Sequence, residues 1–294
     1  MARAALPPLP LRDGVGPSCV AVPSAGWPTV LDFLAERLPT LRRDEWRHRL
    51  DSGQVLDAQG HPVAAELPCR GGLRLYYYRG WADEPALDGA PEQIVFQDDW
   101  LVVADKPHFM PVTPGGRFVQ RSLLVRLRRR LGIDGLSPIH RIDRETAGLV
   151  AFAVQPHTRA GYQALFRDRA VHKRYEAVAP ALPALALPRT HRSRLVPDPQ
   201  RFFVSREEPG APNSETHVTR AAVLGEHALY QLRPVTGQRH QLRLHLCALG
   251  APILGDAFYP RVLRGPGEPD DAARPLQLLA RELAFDDPFT GQRR

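Results

Sequence analysis

Lysine is almost missing from this chain: Lys106 and Lys173 are the only two, and arginine carries the rest of the basic charge. Cysteine is nearly as scarce. Cys19, Cys69 and Cys247 are far apart and odd in number, with no Cys-x-x-Cys pair, which argues against a disulfide framework and a cysteine-based zinc site. Long apolar runs are absent too. The start, Met1 to Pro10, is broken by prolines before a signal-peptide apolar region can form. The longest later candidate, Ala177 to Pro188, is interrupted by Pro180 and Pro183, far short of the roughly 18 residues of a membrane span. No internal repeat or heptad run is visible. These absences predict a cytoplasmic protein with reduced thiols and no membrane segment.

What is present is enough for a substantial core: 294 residues, 43% of them hydrophobic. A net charge of +7 favours an acidic partner, and nucleic acid is the commonest one for a basic protein. Residues 1–26, rich in Pro, Gly and small side chains, read as a disordered or extended arm. From Thr29 the pattern changes. Leu31, Leu34, Leu38 and Leu41 recur at helical spacing, and residues 42–50 form a second amphipathic helix with a basic face. Short strands follow at 54–56 and 73–79. Residues 27–80 thus read as a small α/β domain, 81–93 as a linker and 94–294 as the large domain.

Within the large domain, strands are expected at 94–97, 100–105, 148–154, 171–178, 216–223 and 228–234. Helices are expected at 122–131, 157–168 and 238–249. The strands come in clusters with hairpin-length links. The fold class is therefore α+β, with a mixed, largely antiparallel central sheet flanked by helices.

Two segments concentrate chemistry. Pro138-Ile-His-Arg-Ile-Asp-Arg-Glu-Thr-Ala-Gly148 leads straight into a buried strand, and Asp143 lies between Arg141 and Arg144, whose charge is expected to lower its pKa and keep it ionised. Thr146 and Gly148 suit a tight turn that aims it. A salt-bridged structural turn has the same appearance, so charge context alone leaves both open. In residues 232–247, helical spacing stacks Arg239 on Arg243 and Gln241 on His245 beside Leu242, Leu246 and Leu249. That helix either sets Arg243 against an anion or is an ordinary basic surface helix. A metal-dependent hydrolase using His240, His245 and Cys247 is a further alternative, but the spacing fits no familiar ligand set.

The first segment, His140-Arg-Ile-Asp-Arg-Glu-Thr-Ala-Gly-Leu149, resembles the His-Arg-Leu-Asp-x-x-Thr-Ser-Gly-Leu signature of RluA-type RNA pseudouridine synthases. Further blocks match in order: Lys106-Pro107; Phe166 to Tyr175; Pro234 to His245 followed by Gly250 to Asp256 and Tyr259; and Leu276 to Pro288. The likeness covers about residues 94–290. It departs in lacking a glycine after Lys106-Pro107, in Ala147 for serine, and in Gln238-Arg239 for Arg-Thr. More loosely, residues 27–80 resemble the RNA-binding module named for small-subunit ribosomal protein S-four, although Leu56 to Gly60 departs from its usual Val-Asn-Gly turn.

The resemblance implies the pseudouridine synthase fold and isomerisation of uridines in structured rRNA or tRNA, without metal or redox cofactor. It implies Asp143 as the catalytic carboxylate, Tyr175 stacking on the uracil and assisting proton transfer, and Arg243 pairing with Asp143. Ile142 and Leu244 would wall the pocket. His140, Arg141, Arg144, Thr146, Lys173, Arg239 and His240 are the remaining substrate-binding candidates. The partner is RNA, with no obligate protein partner and a monomeric chain. A non-catalytic RNA-binding or ribosome-assembly protein of the same fold is the alternative.

Overall fold

The computed structural model describes residues 9–24, 26–79, 84–87, 90–265 and 267–294. The chain clusters into two compact units. One runs up to Glu84 and takes in Gly116–Gln120; the other is Pro85–Gly115 with Arg121–Arg294.

In the first unit, β1 (Ser18–Ala21), β3 (Arg74–Tyr77) and β2 (Val55–Leu56) form an antiparallel sheet in that order. Helices α1 (Val30–Arg37) and α2 (Arg43–Asp51) accompany it. Thr29 caps α1 by accepting from the Asp32 amide, and Asp32 reciprocates at the Thr29 amide, so two orphan donors are satisfied. Val30, Leu31, Phe33 and Leu34 bury the inner face of α1 against Trp46 and Leu50 of α2. The expected arm over 1–26 is corrected in its second half. Ser18–Ala21 is extended because it pairs residue for residue with β3, a long-range partner that local composition does not encode. Residues 1–8 and 25 of that arm lie outside the described set. On the basic face of α2, Arg43 pairs with Asp32 and Arg47 with Glu66, and Arg42 just before the helix pairs with Glu45.

The second unit is built on one sheet of ten strands. In chain order its elements are β4 (Gln93–Gln97), β5 (Leu101–Lys106), α3 (Leu123–Leu131), β6 (Ser137–Pro138), β7 (Ala147–Ala153) and α4 (Arg159–Arg167). Then come β8 (His172–Pro180), β9 (Arg189–Pro197), β10 (Ser205–Glu208), β11 (Ser214–Leu224), β12 (His227–Pro234), α5 (Gln241–Ala248) and β13 (Leu278–Ala284). The order is β10-β9-β11-β12-β8-β13-β7-β5-β4, with β6 added beside β7. Among the described residues only the β13–β7 pair is parallel, which gives the mixed, largely antiparallel sheet that the pattern predicts.

β9 and β10 are not legible as strands in the sequence. The inward positions of β9 include His191 and Ser193, so its buried face carries no apolar stripe. The linker expected over 81–93 is not a free spacer where it is described. Glu84 accepts from the Val119 and Gln120 amides, and Glu92 is buried against Arg126 at 2.7 Å. Residues 81–83, 88 and 89 lie outside the described set.

The centre of the sheet brings distant residues into one row. Lys106 of β5 pairs with Gly148 of β7, Gly148 with Ala280 of β13, and Ala280 with Tyr175 of β8. Only glycine permits this. Gly148 has φ +111°, and a Cβ there would fall 2.3 Å from the Ala280 carbonyl oxygen. The turn that feeds β7 holds Asp143, so the row fixes what stands beside it.

Candidate active site

The loop before β7 closes on itself, the Thr146 amide donating to the Asp143 carbonyl at 3.2 Å. It is pinned from beneath by Lys106. The ammonium is fully buried and donates to the carbonyls of Pro107 (2.9 Å) and Arg144 (3.0 Å). Burial pulls the Lys106 pKa down to about 7, while the charges of Glu145 and Asp143 oppose that shift. From above, α5 supplies Arg243. Of the two readings open for this helix, the surface one falls: it is buried from Gln241 to Leu246, because β9, β10 and β11 pack against it.

Arg243 is 1% exposed and its guanidinium is shared by three carboxylates. Asp256 takes a two-pronged contact at 2.8 and 2.6 Å, Glu145 lies at 3.4 Å and Asp143 at 3.7 Å. Burial alone would lower the arginine's pKa, but the hydrogen bonds and charge of Asp256 overcome it and hold the group cationic. Gly255, at φ +73°, sets Asp256 in place: a Cβ there would lie 2.1 Å from the Pro275 oxygen. The face of the guanidinium rests over the rings of Phe258 and Tyr259 at 4.8 and 5.4 Å.

The Asp143 side chain is 27% exposed. Its pKa is raised, first by desolvation, with Arg243 working in the opposite direction. This corrects the expectation that flanking arginines lower it. Arg141 is exposed, and Arg144 is engaged elsewhere, with both nitrogens on Asp270 at 2.6 Å and a further pair to Glu145. Asp143, Arg144, Glu145 and His240 line a cavity of about 240 Å³, together with Phe109, Phe203, Phe258 and Asp270.

The remaining sequence candidates divide. Tyr175 is partly buried against the Leu276 and Leu278 cluster and is not among the cavity's lining residues. It is nevertheless near enough to Asp143 that burial and the carboxylate's charge both push its pKa up, keeping the phenol protonated. His240 starts α5 with φ +57°, its Nδ1 is 2.8 Å from the Tyr259 hydroxyl, and burial lowers its pKa to about 3. Arg239 donates to the Phe202 carbonyl at 2.7 Å, and its charge is felt at Asp143.

The structure does not bring the others to the cavity. The His140 Nε2 accepts from the Ala151 amide and its ring stacks on Phe166, so it anchors the turn to β7. Lys173 donates to the Thr236 carbonyl at 3.3 Å. Leu244 packs with Leu195, Val204 and Tyr259, and Ile142 packs against the Val102 and Leu123 cluster; both are therefore core contacts instead of pocket walls. Thr146 is buried within the turn.

The His240, His245 and Cys247 ligand set is not assembled. His240 bonds to Tyr259, while His245 stands with His191 and Glu207, their ligand atoms within 4.8 Å of one another. Hydrogen bonds already account for this cluster. His191 bonds to Glu207 at 3.0 Å, and both nitrogens of His245 meet the hydroxyls of Thr216, Ser193 and Ser214. The residues that sequence reasoning leaves without a role are Asp256, Glu145, Lys106 and Phe109. Three of them, Lys106, Glu145 and Asp256, stood in recognised blocks, but no local pattern assigns them a place at the site.

A family model described as RNA pseudouridylate synthase matches residues 100–248. The chain is 30% identical over 281 residues to the ribosomal large subunit pseudouridine synthase D of Zymomonas mobilis, covering 88% of this chain and 86% of that one. It is 32% identical over 184 residues to human pseudouridylate synthase RPUSD2, covering 62% of this chain and only 33% of that longer protein. Among solved structures, human RNA pseudouridylate synthase domain containing 4 superposes with a TM-score of 0.52 at 28% identity, covering 65% of this chain and 83% of that one.

Proposed function

The chain belongs to the RNA pseudouridylate synthase family, and from that premise we propose that Asp143 is the carboxylate with which it converts particular uridines of structured RNA to pseudouridine. One observation carries the assignment: Asp143 lines the cavity of about 240 Å³ while standing 3.7 Å from a buried, permanently charged guanidinium. The reaction breaks the bond from ribose C1′ to uracil N1 and makes one to C5. The C5 proton is lost and N1 gains one, so no electrons change hands and no redox cofactor is required. Whether the carboxylate attacks the sugar or removes a ribose proton, it must be ionised, and Arg243 supports that form against desolvation.

Tyr175 serves in this scheme as a neutral phenol. Its raised pKa speaks against a phenolate base and in favour of an apolar face with one polar tip beside the carboxylate. The target base must leave its stack to reach Asp143, at a cost of about a few kcal/mol unless it already lies in a loop. Loops of large-subunit rRNA, as named for the Zymomonas relative, or of tRNA are therefore the substrates we assign. Arg144 and Arg239 would contact phosphate, and the small domain, read as an S-four-type module, would add salt-sensitive affinity.

The test is Asp143→Asn. It is expected to abolish pseudouridine formation in RNA from cells lacking the gene, while binding of the same RNA persists. Undiminished modification by that variant would sink the assignment.

A further inference from the structure

Phe109 has a backbone φ of +63°. A bulky L-residue in the left-handed region is a true outlier, and its Cβ makes the conformation costly. The segment Lys106-Pro-His-Phe-Met lacks the glycine that would adopt this geometry freely, so the turn keeps a glycine conformation and carries a phenyl ring. Such strain persists only where the surrounding structure over-determines the conformation, and it clusters at active sites and ligand clamps.

Core packing does not account for the ring. Phe109 is partly exposed and belongs to none of the buried hydrophobic clusters of the second unit, although Met110 and Val112 beside it do. Its ring lines the cavity that Asp143 lines, with Phe203 and Phe258 contributing other parts of the wall. The Arg144 guanidinium lies 5.7 Å from the ring centroid and Arg144 also donates to the Phe109 carbonyl, so the next residue after Asp143 braces the ring. A flat, weakly polar heterocycle delivered beside Asp143 meets an aromatic face there, with a cation nearby for the adjoining phosphate.

We propose that Phe109 is a substrate-positioning residue: the platform on which the extruded uracil stacks as it enters the cavity. This rests on the pseudouridine synthase reading of the same site. Two things distinguish it from a structural role. Removing the ring relieves backbone strain, so stability and activity move in opposite directions. The contact is also to the base, so it disappears when the base is absent.

The experiment compares wild type with Phe109→Gly, Phe109→Leu and Phe109→Tyr on a hairpin RNA carrying a uridine that the wild type modifies, and on the same hairpin with an abasic site there. Phe109→Gly is expected to melt at or above the wild-type temperature, yet to lose about 5- to 150-fold in kcat/KM, the range for one base–aromatic stack. Phe109→Tyr should stay near wild type, Phe109→Leu should fall below it, and all four proteins should bind the abasic hairpin alike. The proposal is overturned if Phe109→Gly keeps wild-type kcat/KM, if Phe109→Leu performs as well as Phe109→Tyr, or if the variants differ equally on abasic RNA. A wild type that forms no pseudouridine in any RNA would instead remove the reading beneath it.

Discussion

Arg243 grips Asp256 at 2.6 and 2.8 Å but meets Asp143 only at 3.7 Å. The structural partner of the arginine is thus Asp256, and the catalytic carboxylate we assign receives its charge without being locked by it. That division suits a carboxylate that must approach a substrate atom.

The division makes Asp256 a positioning residue. Asp256→Ala should cost about 3–5 kcal/mol of stability, because it leaves the buried guanidinium without its best partner. Asp256→Asn should keep the fold but lower kcat by at least about tenfold through loss of an oriented charge. Urea denaturation beside single-turnover pseudouridine formation checks both. Wild-type kcat in Asp256→Asn would show that Glu145 and Asp143 orient Arg243 unaided.

The raised pKa of Asp143 makes its ionisation a cost to folding. That cost is absent below the unfolded-state pKa, where both states are protonated, and complete above the folded-state value. Asp143→Asn should therefore be at least as stable as wild type at pH 7, with the difference vanishing in acid. The acid limb of the wild-type rate profile should lie above the ordinary carboxylate range. A less stable Asp143→Asn at pH 7 would contradict this.

Lys106 has the opposite sign. Its folded pKa of about 7 lies below the ordinary 10.5, so between those values the unfolded chain binds more protons and stability rises with pH. Over pH 7 to 9, wild-type stability should climb relative to Lys106→Met, whose own loss comes from the two carbonyls left without a donor. Parallel stability curves for the two proteins would indicate a lysine that stays charged.

Asp270 holds both terminal nitrogens of Arg144 at the cavity, where an RNA phosphate would compete for them. Asp270→Asn should tighten RNA binding and steepen the slope of log affinity against log salt by about 0.7, one additional single-strand phosphate contact. Filter binding across a salt series measures it. An unchanged slope would mean that Arg144 does not reach the phosphate.

The resemblance blocks placed Asp143, Tyr175 and Arg243 in one site, and the structure brings Arg243 within ion-pair reach of Asp143 and Tyr175 within reach of its charge. Other roles were misread for identifiable reasons. Leu244 and Ile142 look like pocket walls only because they adjoin functional residues; the side-chain directions of a helix and a turn send them into separate cores. His140 looks like a ligand contact, but its accepting nitrogen is occupied by a strand amide. The Asp143 pKa shift took the wrong sign because sequence neighbours were counted as spatial partners, and desolvation is invisible in a string.

By itself the sequence determined the local elements, through the helical spacing at residues 122–131 and the apolar run at 148–154, found as α3 and β7, and the order of the blocks that identify the family. Periodicity and local propensity act over a few residues, so they are legible there. Only the tertiary structure decided which carboxylates share Arg243, that Lys106 is buried beneath the turn, and that Phe109 stands strained in the cavity wall. Those facts depend on the row from Lys106 through Gly148 and Ala280 to Tyr175, a register between strands remote in the chain. Burial and charge coupling exist only once that register is made.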